Sequence, residues 1–295
     1  MNNKKSVVFF LFLLLALLLF SSCQKAENAD GRLKIVCSLF PQYDFARQVA
    51  GDAAEVILLR QTGDAHSGEI TSADVRTLAS CDLFICVGGT EDYAFDRILK
   101  ANAPDLPVLR MLEEVEPLTD EDGDEIDEHV WTSPKNAIRI TQAICEKLAS
   151  LDGGNASVYR ENADVFLARL TELDAAYEDY FSEPRTLIFG DRFPFLYLAH
   201  DYGITCFAAF PGCSEETEPS ANTVAMLIEK IRSEKIDRVY YLENSSHAVA
   251  DSLAEATGVG TSLFHSCHTL SEEEIESGIG YVEIMTQNLE TLKNR

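Results

Sequence analysis

Two histidines are distinguished by type and setting: His66 in Gly-Asp-Ala-His-Ser and His129 in Asp-Glu-His-Val-Trp, within a 295-residue chain that holds six histidines. Neutral imidazole is the commonest metal ligand on proteins near neutral pH. Two imidazoles brought together from separate loops supply half of a tetrahedral zinc site. Gly63 and Gly68 flank His66 and place it in a loop, whereas Trp131 beside His129 predicts a partly buried ring. A buried imidazole needs a partner. His265 ends a strand-like run, and ligands of open parallel sheets gather at the carboxyl ends of strands. His268 follows three residues on, with its role left open. His200 sits near a helix end before Gly203, where a cation suits the dipole, and His247 reads as surface.

The elements that must position these side chains alternate nearly throughout. Strand-like runs at 33–40, 54–59, 83–87 and 108–112 are separated by helix-like runs at 43–49, 72–80 and 93–101. The alternation resumes with strands at 186–189, 204–210, 238–243 and 261–265, helices at 221–233 and 248–256, and a last helix at about 273–293. Such alternation predicts α/β architecture: parallel sheets flanked by helices. Between the halves, Tyr159, Ala163, Phe166, Leu170, Leu173, Tyr177 and Tyr180 recur at three- and four-residue steps. They form one apolar stripe on a helix of about 25 residues, roughly 37 Å long, enough to join two lobes as a spine. The expected organisation is a leader at 1–22, a tether at 23–32, an N-terminal lobe at 33–150, the spine at 151–182 and a C-terminal lobe at 183–295.

The first residues read as a targeting segment. Lys4 and Lys5 precede an unbroken apolar run from Val7 to Phe20, shorter than the roughly 20 residues a spanning helix needs. Ser21-Ser22-Cys23 then fits signal cleavage and resembles a bacterial lipoprotein box, with Phe20 where Leu is usual. That resemblance makes Cys23 the lipidated first residue. Removing the leader leaves 22 basic residues against 49 acidic, a formal charge of −27. So acidic a chain disfavours nucleic acid or anionic headgroups as partners and suits cations.

Of the eight cysteines, seven follow Cys23, so internal pairing leaves at least one thiol free. No CxxC pair occurs, which removes a thiolate zinc knuckle; pairing of Cys206 with Cys213 stays open. Glu113 to Glu128 holds ten acidic residues of sixteen and no Lys or Arg. It reads as a solvated, charge-repelling loop or, functionally, as one that captures divalent cations weakly beside a tighter site. Its Asp120, Asp122, Asp124 spacing begins like a calcium loop, but Glu125 stands where glycine is required.

Nearly the whole mature chain resembles the zinc- and manganese-binding lipoproteins that serve ABC importers, the cluster A-I solute-binding proteins. Asp127-Glu128-His129-Val130-Trp131-Thr132-Ser133-Pro134 resembles that family's Asp-x-His-x-Trp-x-x-Pro. His66, with Glu69 and the helix start Thr71-Ser72-Ala73-Asp74, matches the segment of its first histidine. The run 207–221 and Met285-x-x-Asn288-Leu289 are also similar to the family. The resemblance implies a rigid spine with small lobe movements and metal ligands His66, His129, a third near Asp191 and a fourth at His265. Counting back from Tyr202-Gly203 lands on Arg192, which cannot ligate; either Asp191 supplies an oxygen, or water fills that position. The family's fourth ligand is an aspartate, and imidazole there favours zinc over manganese. The acidic run replaces the histidine-rich loop of zinc-preferring members.

The leading expectation is therefore a monomeric, extracytoplasmic receptor, lipid-anchored to the cell membrane. It captures Zn²⁺ (with Mn²⁺ as the other possible cargo) between two lobes and delivers it to an ABC permease; it is not an enzyme. The alternative is a zinc-dependent hydrolase using His66, His129 and His265 as catalytic ligands, with Glu243 as general base. A third reading is an adhesin with a structural metal.

Overall fold

Short β-branched and aromatic runs pair into two parallel sheets in this computed structural model, which describes residues 31–59, 70–119, 125–212 and 218–294. In the first sheet β1 (Leu33–Cys37) is flanked by β2 (Ala54–Leu58) and β3 (Leu83–Cys86), with β4 (Val108–Arg110) beyond β3. The second repeats this order with β5 (Thr186–Phe189) flanked by β6 (Thr205–Ala208) and β7 (Arg238–Tyr241), then β8 (Gly260–Leu263). Every pairing is parallel. All four residues of β3 are buried, as a parallel strand covered on both faces must be. Strand order reverses between β1 and β3, and again between β5 and β7, which opens a crevice at the carboxyl ends of each pair.

Helices occupy the connections: α1 (Phe40–Ala50), α2 (Ser72–Ser80) and α3 (Tyr93–Asn102) in the first half, then α4 (Pro134–Leu151) and α5 (Ala156–Tyr180). The second half carries α6 (Leu196–Tyr202), α7 (Ala221–Ser233), α8 (Ala248–Thr257), α9 (Glu272–Ser277) and α10 (Tyr281–Lys293). Helix α5 is the spine, 25 residues long, with the predicted stripe from Tyr159 to Tyr177 buried and Tyr180 half-buried. It is tied to α1 where Asn162 donates to the Val49 carbonyl at 3.1 Å. It is tied to α10 where the Tyr177 and Tyr180 hydroxyls donate to the Met285 and Leu292 carbonyls at 2.8 and 2.7 Å.

One apolar core runs through both halves, including Ile35, Leu83, Trp131, Phe166, Phe189, Phe264 and Tyr281. Each fully buried Phe in it contributes on the order of 1.5–3 kcal/mol. Among the described residues no helix is long and apolar enough to cross a membrane.

The single closing helix expected over 273–293 is two helices. Gly278 ends α9 at a φ of +69°, a left-handed stop that glycine adopts without a Cβ penalty. A Cβ on Gly280 would come within 3.3 Å of the Asp44 carboxylate, and Asp44 accepts the Tyr281 N–H that starts α10 at 2.8 Å.

Candidate metal centre

His129 lies between the isolated Thr119–Ile126 bridge and the tight turn Val130–Thr132 that leads into α4. Its side chain is almost fully buried. The Asp127 carboxylate holds it from one side: Oδ1 accepts the His129 backbone N–H at 2.8 Å and lies 3.0 Å from Nδ1. A carboxylate there favours the tautomer with the proton on Nδ1, which makes Nε2 the basic nitrogen. Tyr197 of α6 fixes the same loop from the other half. Its hydroxyl donates to the Asp127 carbonyl at 2.9 Å and accepts the Leu118 N–H at 3.0 Å. Burial, followed by the nearby Asp127, Asp201 and Glu128 charges, outweighs that backbone bond and pushes the phenol up to about 12.

Trp131 makes a further contact between the halves. Its indole N–H donates to the Ser266 carbonyl at 2.9 Å, and its own carbonyl accepts the Tyr281 hydroxyl at 2.7 Å. On this indole rest two imidazoles from opposite sheets. The ring centres of His129 and His268 lie 5.4 and 5.3 Å from Trp131, and 5.7 Å from each other with planes at 90°. The structure thus sets His129 beside His268.

His265 occupies a different environment three residues earlier. It is buried, with Nδ1 accepting the Cys267 N–H at 2.8 Å and Nε2 standing 3.4 Å from Glu274 Oε1. Burial alone would lower its pKa; the Glu243 and Glu274 carboxylates outweigh that and raise it above 6.5. Glu274 in turn is drawn down to about 2, chiefly by His265, against burial and together with the Ser271 cap. Asn288 of α10 grips the His265 backbone from both sides, accepting its N–H and donating to its carbonyl at 2.8 Å each.

Asp191 follows β5 at the switch point of the second sheet. Gly190 before it approaches α8 so closely that a Cβ would meet Ala250 Cα at 2.4 Å. The two Asp191 oxygens accept the N–H groups of Arg192 at 2.9 Å and Leu242 at 3.1 Å, and the Arg192 side chain lies alongside at 3.9 Å. Glu243, the expected base of a hydrolase, is committed to the loop of His268 and accepts from Ser266 and His268. His66, Cys23 and Cys213, with residues 120–124 of the acidic run, lie outside the described residues; Cys206 carries a free thiol. Among the described residues no three His, Cys, Asp or Glu side chains converge as a complete cage; the two imidazoles that approach each other are those of His129 and His268.

His268 was the residue least legible in the sequence. It shares a short loop with His265, and the only cue is that three-residue offset; which ring turns toward His129 depends on the backbone of Cys267 between them, at a φ of +60°.

Residues 35–295 match the family described as ZnuA, zinc-uptake complex component A, periplasmic. The zinc-binding lipoprotein AdcA of Streptococcus pneumoniae (strain ATCC BAA-255 / R6) is 33% identical over 289 residues, which cover 92% of this chain and 57% of that relative. The chain therefore spans little more than half the length of AdcA. The high-affinity zinc uptake system protein ZnuA of Bacillus subtilis (strain 168) is 28% identical over 303 residues, covering 96% of this chain and 94% of that one. Among solved structures, the Zn(II)-bound ZnuA-like domain of Streptococcus pneumoniae AdcA aligns with a TM-score of 0.76 at 30% identity, over 89% of this chain and 98% of that domain.

Proposed function

The chain belongs to the ZnuA family of zinc-uptake components, and on that premise we propose that it is an extracytoplasmic receptor that captures Zn²⁺ between its two halves and passes it to an ABC permease. The observation that carries this reading is the meeting of His129 and His268, from opposite sheets, on the indole of Trp131. His66 is proposed as the third imidazole from the first half. Asp191 is the candidate oxygen donor, since each of its oxygens keeps a lone pair beyond the backbone bond it accepts. His265, expected as a ligand, is proposed instead to brace the loop, because its Nδ1 is taken by Cys267 and its Nε2 faces Glu274.

Three imidazoles bring no negative charge, so the acidic surroundings help hold the dication. Such a nitrogen-rich set suits zinc; manganese, which prefers oxygen, is the weaker cargo. A closed site serves capture and release rather than turnover. Lipidation at Cys23, attachment to the cell membrane and a monomeric state complete the proposal.

Calorimetric titration of the metal-stripped chain tests it. One zinc should bind per chain, more tightly than manganese, and His129→Ala and His268→Ala should each weaken zinc at least tenfold, while His265→Ala weakens it less than either. Unchanged affinity in both of the first two variants would overturn the site.

A further inference from the structure

Resting on the assignment of His268 as a ligand, we propose that Glu243 is the positioning residue of that ligand: its carboxylate fills a nest of donors formed by the His268 loop and sets both the loop's shape and the charge behind the metal.

The loop runs from β8 to α9, and each backbone N–H from His265 to His268 in it has a named partner. Asn288 takes both groups of His265, Trp131 takes the Ser266 carbonyl, and His265 Nδ1 takes the Cys267 N–H. The remaining donors converge on Glu243. Its Oε2 accepts the Ser266 N–H at 2.8 Å, and its Oε1 accepts the Ser266 hydroxyl at 2.5 Å and shares the His268 N–H, at 3.3 Å, with Ser266 Oγ at 3.2 Å. Of all these partners Glu243 is the only acidic one.

The backbone between these donors is strained. Cys267 is fully buried and adopts a φ of +60°, a conformation disfavoured for any residue with a Cβ. Strain of this kind persists only where the surroundings over-determine it. Successive N–H groups turned to one side by a left-handed residue form a concavity that binds anions, and here the chain supplies its own anion from the end of β7. The left-handed turn at Cys267 separates the two rings, leaving His265 against Glu243 and Glu274 while His268 rests on Trp131 and His129. Glu243 is only 10% exposed, so its charge is poorly screened by solvent.

Outer-sphere groups of this kind typically govern about 10–100-fold in metal affinity. The test uses the full metal-stripped chain, with zinc affinity read by chelator competition and the visible absorption of the Co²⁺ form reporting ligand geometry. Glu243→Ala should weaken zinc by about 10–100-fold and alter the cobalt spectrum. Glu243→Gln should fall between it and the parent, because an amide oxygen still accepts from Ser266. Should Glu243→Ala not fold, Glu243→Gln and Ser266→Ala carry the comparison. A merely structural glutamate would lower the melting temperature of these variants but leave the cobalt spectrum and the zinc affinity of the folded protein alone. The inference is overturned if the Glu243 variants stay within about twofold of the parent in zinc affinity with unchanged cobalt spectra, while His268→Ala weakens zinc. If His129→Ala and His268→Ala also leave zinc binding intact, the ligand reading has failed and takes this inference with it.

Discussion

Each of two buried imidazoles has a carboxylate beside it: Asp127 beside His129 and Glu274 beside His265. Asp127 lies at 3.0 Å from Nδ1 of His129 and orients that ring, and at His265 the Glu243 and Glu274 carboxylates outweigh burial and raise the pKa. The Glu274–His265 contact has a pH signature in the metal-free protein. Glu274 is depressed from 4.5 to about 2, so its contribution is complete above pH 4.5 and is lost as pH falls toward that lower value. His265 is raised above 6.5, so its contribution is complete below 6.5 and is lost as pH rises through the raised value. Comparing melting temperatures of metal-free parent and His265→Gln across this range should show the largest parental advantage between about pH 4.5 and 6.5. A difference that does not vary with pH would contradict the pairing. At this scale the sequence was legible where a motif carried meaning, as at His129. It was silent on His265 against His268, because the choice between them rests on one residue's φ and on Glu243, separated from Ser266 by 23 positions.

Strands were the most legible elements, since short apolar runs with glycine or proline stops have few other uses in an alternating pattern. The break between α9 and α10 was not, because Ile275, Ile279 and Val282 continue an apolar spacing across it while the capping partner Asp44 lies 237 positions from Tyr281. The start of α4 and the β8–α9 loop are joined by one indole, and this predicts a specific cost. Trp131→Phe keeps most of the ring packing but leaves the Ser266 carbonyl, in a residue 3% exposed, without its donor. An unsatisfied buried acceptor costs about 1–3 kcal/mol. Urea unfolding of the metal-free variant should give a stability lower by that amount, with zinc affinity reduced as well; an unchanged unfolding midpoint would show that the indole bond joins nothing.

For the whole molecule, the repeated strand order places two crevices at the carboxyl ends of β1 and β3 and of β5 and β7, and a single spine with a continuous core keeps them in register. The α/β class and the length of the 25-residue helix could be read from periodicity. The convergence of the two halves on Trp131 could not, because it depends on long-range contacts such as Trp131 to Ser266, 135 positions apart. The central claim is that imidazoles from the two halves share one cation. Zinc-edge anomalous diffraction from crystals of the zinc-loaded chain measures this directly. The account predicts one strong peak bonded to nitrogens of both His129 and His268 at about 2.0–2.1 Å. A peak bonded to neither ring, or to His265 with His268 turned away, would contradict it.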